Sequence, residues 1–207
     1  MASSCLWSDW VVGPGGATLG QMEDRVSEAF AATPRAGFLP RPARRRASYD
    51  GPIQIGRGQT NSQPRTVEAM LRLLDVRVGD RVLDVGAGSG WSTALLAHLT
   101  GPTGEVLGVE LEPTLVEFGR ANLARLARPW ARIEQADPER LGRPELAPYD
   151  RVLVSAEPRG LPDELVQQLS EDGRMVIPVS GTMLLVQRTP SGMEVTEHGW
   201  YRFVPLR

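Results

Sequence analysis

The chain has no lysine: all 23 basic side chains are arginine. A phosphate-binding loop ending in Gly-Lys-Ser/Thr is therefore excluded. Cysteine is nearly absent, with Cys5 alone, so no internal disulfide can form and a reducing, cytoplasmic setting is expected. Histidine occurs only at positions 98 and 198, which leaves few candidates for a general base at neutral pH. No apolar run approaches the ~20 residues of a membrane span, and the first residues lack the basic-then-apolar order of a secretory signal. The formal charge of −2 argues against a broad nucleic-acid footprint. What is there, 207 residues of which 41% are hydrophobic, suits one α/β domain with a full core.

The most informative stretch is Arg81-Val82-Leu83-Asp84-Val85-Gly86-Ala87-Gly88-Ser89-Gly90-Trp91. A short apolar run, an acid, three glycines at alternate positions and a helix-like segment predict a buried parallel strand, a tight loop and a helix N-terminus. Backbone amides of such a loop face a ligand, with the positive end of the helix dipole behind them. A dinucleotide-binding loop wants Gly-x-Gly-x-x-Gly, and Trp91 is too large for its third glycine. The pattern acid-x-Gly-x-Gly-x-Gly instead resembles the first motif of class I S-adenosylmethionine-dependent methyltransferases. That resemblance makes Asp84, Gly86, Gly88 and Gly90 candidate cofactor residues.

Along the chain, residues 1–21 have no clear period and are expected to form a poorly ordered extension ahead of a single domain over 22–207. Met22 to Thr33 predicts a helix, stopped by Pro34. The arginines at 41, 44, 45 and 46 suggest either an anion or nucleic-acid patch or, given their shortness and lack of interleaved aromatics, a solvated face. Tyr49 to Pro64 is too rich in glycine and proline for a long element and predicts a structured loop, followed by a helix from Arg65 to Leu74. Its Gln59, Thr60, Asn61 and Ser62 carry hydrogen-bond donors suited to an anion. Further on, strands are expected at 105–109, 131–135, 149–156 and 174–178, with helices at 92–99, 115–126 and 162–169 and a turn at Asp172-Gly173. Residues 183–188 and 192–197 predict an antiparallel pair. Glu110 closes its strand about 20 residues past the glycines, where an acid can reach ribose hydroxyls.

Taken together, Arg35 with Phe38 and Pro40, then Tyr49-Asp50, then Ile55 to Pro64 with its Gln59-Thr60-Asn61-Ser62-Gln63-Pro64 ending, resemble the protein-L-isoaspartate (D-aspartate) O-methyltransferases. The final Phe203-Val204-Pro205-Leu206 matches that family's terminal strand, whose backbone lies against substrate. The resemblance covers about Met22 to Leu206. It implies a Rossmann-like sheet, mostly parallel with an antiparallel C-terminal pair and helices on both faces. It also implies S-adenosylmethionine as methyl donor and Glu110 on the ribose. Asp137 is placed near the adenine, and Ser62 and Thr60 at the reacting carboxylate. Gln59, Asn61 and Val204 are placed along the peptide. Two positions depart from the pattern: Asn61 stands for an apolar residue, and Pro138, beside Asp137, has no N–H to offer a base.

The implied reaction is methyl transfer to the free α-carboxylate of an L-isoaspartyl residue, with a peptide or protein as partner, no nucleic acid, no membrane, no metal and a monomeric enzyme. A carboxylate is already a nucleophile at neutral pH, so the scarcity of histidine is no obstacle. Two alternatives remain open on the sequence. One is an aspartyl methyltransferase that sets an aspartimide in a biosynthetic peptide. The other is a non-catalytic relic of the fold.

Overall fold

Proline and glycine mark the limits of most elements in the computed structural model, which describes residues 19–207 and their side chains from Arg25 onward. Helix α1 (Leu19–Ala32) starts three residues before the expected position and stops ahead of Pro34. The expected extension otherwise lies outside the described residues. Two 3-10 turns, Arg35–Phe38 and Arg41–Arg46, follow the prolines at 34 and 40. Residues 49–64 contain a short antiparallel hairpin, β1 (Ile53–Gly56) and β2 (Gln59–Asn61), within the expected loop. Ile53 and Ile55 bury one side of it against Leu39 and Leu115, and this small cluster seats the hairpin on the domain.

Helix α2 (Pro64–Leu74) begins on a proline, whose missing N–H is of no consequence in a first turn. Val67, Met70, Leu71 and Leu74 recur at helical spacing and are its buried face. Strand β3 (Arg81–Val85) is buried from Val82 to Val85, as a central parallel strand covered on both faces must be. Then come α3 (Trp91–Thr100), β4 (Glu105–Glu110), α4 (Pro113–Leu123) with a further 3-10 turn to Leu126, β5 (Ala131–Gln135) and β6 (Tyr149–Val154).

The helix expected at 162–169 is reduced to one turn, α5 (Asp163–Val166). Leu169 already belongs to β7 (Leu169–Val179), because Tyr149 at the start of β6 pairs with it. The expected turn at Asp172-Gly173 is a kink inside that strand, with Asp172 at φ 61° and the ladder register shifting between Tyr149 and Arg151. Strands β8 (Thr182–Thr189) and β9 (Gly192–Trp200) complete the antiparallel edge.

The sheet order is β5-β4-β3-β6-β7-β8-β9, parallel from β5 to β7 and antiparallel beyond. Alternate residues of each strand feed two cores. Val82, Val106 and Leu153 pack under α1, α2 and α3, while Leu83, Leu107 and Val152 pack on the opposite face with Leu165. From β3 the chain runs outward to β5, then returns to β6 on the other side of β3. That reversal opens a crevice beyond the carboxyl ends of the strands, the place where open α/β sheets bind ligands. No helix among the described residues is long and apolar enough to cross a membrane.

Candidate active site

A cleft lies at that reversal point. Its floor is built from the ends of successive strands: Gly86 to Ser89 after β3, Glu110 to Glu112 after β4, Ala136 and Asp137 after β5, and Ser155 and Ala156 after β6. Gln59 to Ser62 of the hairpin form one wall, and Val204 to Arg207 form another. Nine of the eleven expected site residues therefore meet here: Gln59, Thr60, Asn61, Ser62, Gly86, Gly88, Glu110, Asp137 and Val204.

The other two, Asp84 and Gly90, sit behind the floor. Gly90 is a packing glycine: a Cβ there would lie 3.0 Å from Ile133 Cδ1 and 3.2 Å from the Gly119 carbonyl, so it sets how closely α3 approaches α4. Asp84 is fully buried. Its Oδ2 accepts from Ser92 Oγ at 2.7 Å and Thr93 Oγ1 at 2.6 Å, which ties β3 to the first turn of α3. Its Oδ1 has no hydrogen-bond partner among the described residues. Burial pushes this carboxyl up to about 6, and the charge of Glu110 adds to the rise.

Glu110 is 7% exposed, and both of its oxygens hold backbone. Oε2 accepts from Gly88 N at 2.8 Å and Oε1 from Glu112 N at 2.9 Å, so one side chain fixes both the glycine loop and the entry to α4. Each oxygen keeps a lone pair for a hydroxyl donor. Gly88 sits at φ 54° and lines the cleft, where its backbone can approach a ligand. A carboxylate with open lone pairs and a glycine cradle at a helix N-terminus fit a ligand that brings both hydroxyls and a negatively charged group.

Asp137 is engaged within its own turn. Glu139 N donates to its Oδ1 at 2.9 Å and Arg140 Nε to its Oδ2 at 3.2 Å, and these contacts hold it below the usual carboxylate range. The next amide after Pro138 is thus directed back onto Asp137, and a base edge would compete with Arg140 for the same carboxylate.

On the hairpin wall, α2 starts with Gln63 at the capping position and no side-chain cap bond. The Ser62 hydroxyl is therefore not committed to capping that helix. Sequence reading named Arg35 only as part of the family pattern and missed that it holds this wall in shape. Arg35, 6% exposed, donates to five acceptors: Asn61 Oδ1 at 2.6 Å, Tyr49 O at 2.7 Å, Gly51 O and Ser62 O at 2.8 Å, and Asn61 O at 3.0 Å. Burial lowers its pKa to about 10, which leaves it cationic at neutral pH. Its position between a helix-stopping proline and the apolar Phe38-Leu39 was the available signal.

The terminal segment is a strap rather than a ladder strand. Glu157 N donates to Val204 O at 2.8 Å, and Leu206 N donates to Glu157 O at 2.9 Å. Phe203 N adds a bond to Glu157 Oε2 at 3.2 Å. Neither histidine lines the cleft: burial lowers the pKa of His98, which faces Arg128, and His198 bonds Thr196 on β9.

Comparison with known proteins agrees with this geometry. The profile of the Protein-L-isoaspartate(D-aspartate) O-methyltransferase family matches residues 18–207. The chain is 43% identical over 189 residues to the protein-L-isoaspartate O-methyltransferase of Methanopyrus kandleri, covering 88% of this chain and 83% of that one. It is 42% identical over 187 residues to the enzyme of the same name from Methanothrix thermoacetophila, covering 89% of each. Among solved structures, a Plasmodium falciparum protein assigned as a protein-L-isoaspartate O-methyltransferase, in complex with S-adenosyl-L-homocysteine, superposes with a TM-score of 0.78 at 26% identity, covering 89% of this chain and 90% of that one. From its glycine loop to its terminal strap, the chain belongs to the protein-L-isoaspartate (D-aspartate) O-methyltransferase family.

Proposed function

We propose that the cleft is where S-adenosylmethionine and an isoaspartyl peptide meet, the cofactor on the glycine loop and Glu110, the peptide between the hairpin and the strap. The protein is a methyltransferase that uses S-adenosylmethionine to esterify L-isoaspartyl residues of damaged proteins. The observation that carries the site assignment is the convergence of Gln59–Ser62, Gly86–Ser89, Glu110 and Val204 on one crevice at the sheet's reversal point.

When bound, the cofactor supplies an electrophilic methyl group on a sulfonium. Glu110, already aligned by two backbone amides, would receive the ribose hydroxyls. The first turn of α3, the positive end of its dipole, would favour the carboxylate of the methionine end, and Asp84 would hold that turn in place through Ser92 and Thr93. The isoaspartyl α-carboxylate needs no base, since it is ionised at neutral pH. What it needs is placement in line with the methyl group and exclusion of water from both charges. Ser62 and Thr60 would orient it with neutral hydroxyl donors. Arg35, beneath the hairpin, has its guanidinium turned to protein carbonyls and is not offered to the substrate. The backbone amide nitrogen that follows then attacks the ester carbonyl and expels methanol, and hydrolysis of the resulting succinimide returns some normal aspartate. We read the enzyme as a cytoplasmic monomer acting on peptide rather than nucleic acid; the net charge of −2 argues against a nucleic-acid partner.

Ser62→Ala tests the peptide side. Loss of the donor should misplace the carboxylate and lower kcat/KM for an isoaspartyl peptide at least about tenfold, roughly 1.4 kcal/mol. Cofactor affinity and melting temperature should hold. A destabilised variant with full turnover would assign Ser62 to the fold instead.

A further inference from the structure

We propose that Asn61 is a positioning residue that couples the peptide hairpin to the cofactor loop, so that each substrate tightens the binding of the other. The proposal rests on the assignment of those two loops made above.

Its basis is a buried chain of side chains. Asn61 is 5% exposed, and both ends of its amide are in use. Oδ1 accepts from Arg35 Nε at 2.6 Å, and Nδ2 donates to Ser89 Oγ at 3.2 Å. Ser89 is itself buried, and its carbonyl accepts from Asn122 Nδ2 on α4 at 2.8 Å. Among the described residues, the Asn61–Ser89 bond is the only hydrogen bond that joins the hairpin to residues 86–90.

Each end of that bond is stiff. On the hairpin side, Arg35 also holds the carbonyls of Tyr49, Gly51, Asn61 and Ser62, so the chain entering and leaving the hairpin cannot shift without moving Asn61. On the cofactor side, the residue next to Ser89 is Gly88, whose amide is held by Glu110. A ligand that draws on the Glu110 carboxylate therefore acts one residue from the bond to Asn61. A peptide that fixes Thr60 and Ser62 acts on the residues flanking Asn61. An apolar side chain at 61 would remove the link and leave Arg35 Nε without its acceptor, the other four Arg35 bonds still holding the hairpin.

Linkage requires the effect to be reciprocal: the factor by which peptide tightens cofactor equals the factor by which cofactor tightens peptide. Calorimetry with S-adenosylhomocysteine and an isoaspartyl hexapeptide measures both. In the wild type, saturation with either should lower the Kd of the other about fivefold, the lower end of usual coupling strengths. In Asn61→Leu the factor should fall to about one. Ser89→Ala leaves the Asn61–Arg35 bond in place and should lose the same factor, and the double variant should be no worse than either single one. Without any ligand, amide hydrogen exchange at Gln54 and Thr60 should quicken in both. If Asn61→Leu does not fold, Ser89→Ala decides alone. Coupling retained in the variants, or two ligands that bind the wild type independently, would overturn the proposal and leave the site assignment standing. A wild type that binds neither ligand would remove both.

Discussion

Glu110→Ala is expected to weaken S-adenosylmethionine binding 10- to 100-fold. Hydrogen bonds to a charged group contribute ~1.5–3 kcal/mol each when partly buried, and each 1.4 kcal/mol is a factor of ten. Partial replacement by water keeps the loss below the sum of two such bonds. The structure adds a second route to the same loss. With the carboxylate gone, the amides of Gly88 and Glu112 lose their acceptor, and the glycine loop is no longer anchored from beneath. Glu110→Gln, which keeps one carbonyl acceptor, should fall between wild type and alanine. Calorimetry on the three proteins, checked by melting temperature, measures this. A change below about twofold would make Glu110 a loop strut with no part in binding.

Asp84→Asn is expected to change how stability depends on pH. An unfolded aspartate titrates near 3.9, whereas burial pushes the folded carboxyl up to about 6. Below pH 4 both states are protonated and the site has little effect. Between pH 4 and pH 6 the unfolded chain releases its proton while the folded chain retains it, so this site makes folding less favourable as pH rises. Above pH 6 the full penalty applies. Asparagine has no such titration. In denaturant melts the stability of Asp84→Asn relative to wild type should therefore rise by about 2 kcal/mol from pH 4 to pH 7, the two-unit shift less the part already developed at pH 4. A constant difference across that range would mean that Asp84 titrates normally. An acid kept at this disadvantage fits the proposed role of ordering the first turn of α3 through Ser92 and Thr93.

Much of this architecture is legible in the residues. Local pattern decides β3, β5, α2 and α3, because their apolar periods, prolines and glycines all point one way. The hairpin at 53–61 was legible only as a loop: Gly56 and Gly58 break the pattern, and Ile53 and Ile55 become strand residues because Leu39 and Leu115 supply a surface for them. Residues 162–169 show the opposite failure. Their helical spacing is overridden when Leu169 pairs with Tyr149 in the sheet, a contact across 20 positions that no window contains.

The site divides in the same manner. Backbone-approach glycines and the acid ending β4 carry a chemical signature that survives in one dimension. Gly90 carries the same signature yet packs helices, since its environment is Ile133 and Gly119. Arg35 and Asn61 are marked only as positions in the family pattern: that the guanidinium is satisfied by four carbonyls and an amide is recognisable only once the chain segments around 35, 49–51 and 61–62 converge. Asn61, expected along the peptide, has its amide committed to Arg35 and Ser89.

The measurement that bears most directly on the function is methyl transfer to an isoaspartyl peptide beside its aspartyl twin of identical sequence. Methyl from S-adenosylmethionine should appear as a base-labile ester on the isoaspartyl peptide alone. Ester on the aspartyl twin, or on neither peptide from an enzyme that binds the cofactor, would contradict the account.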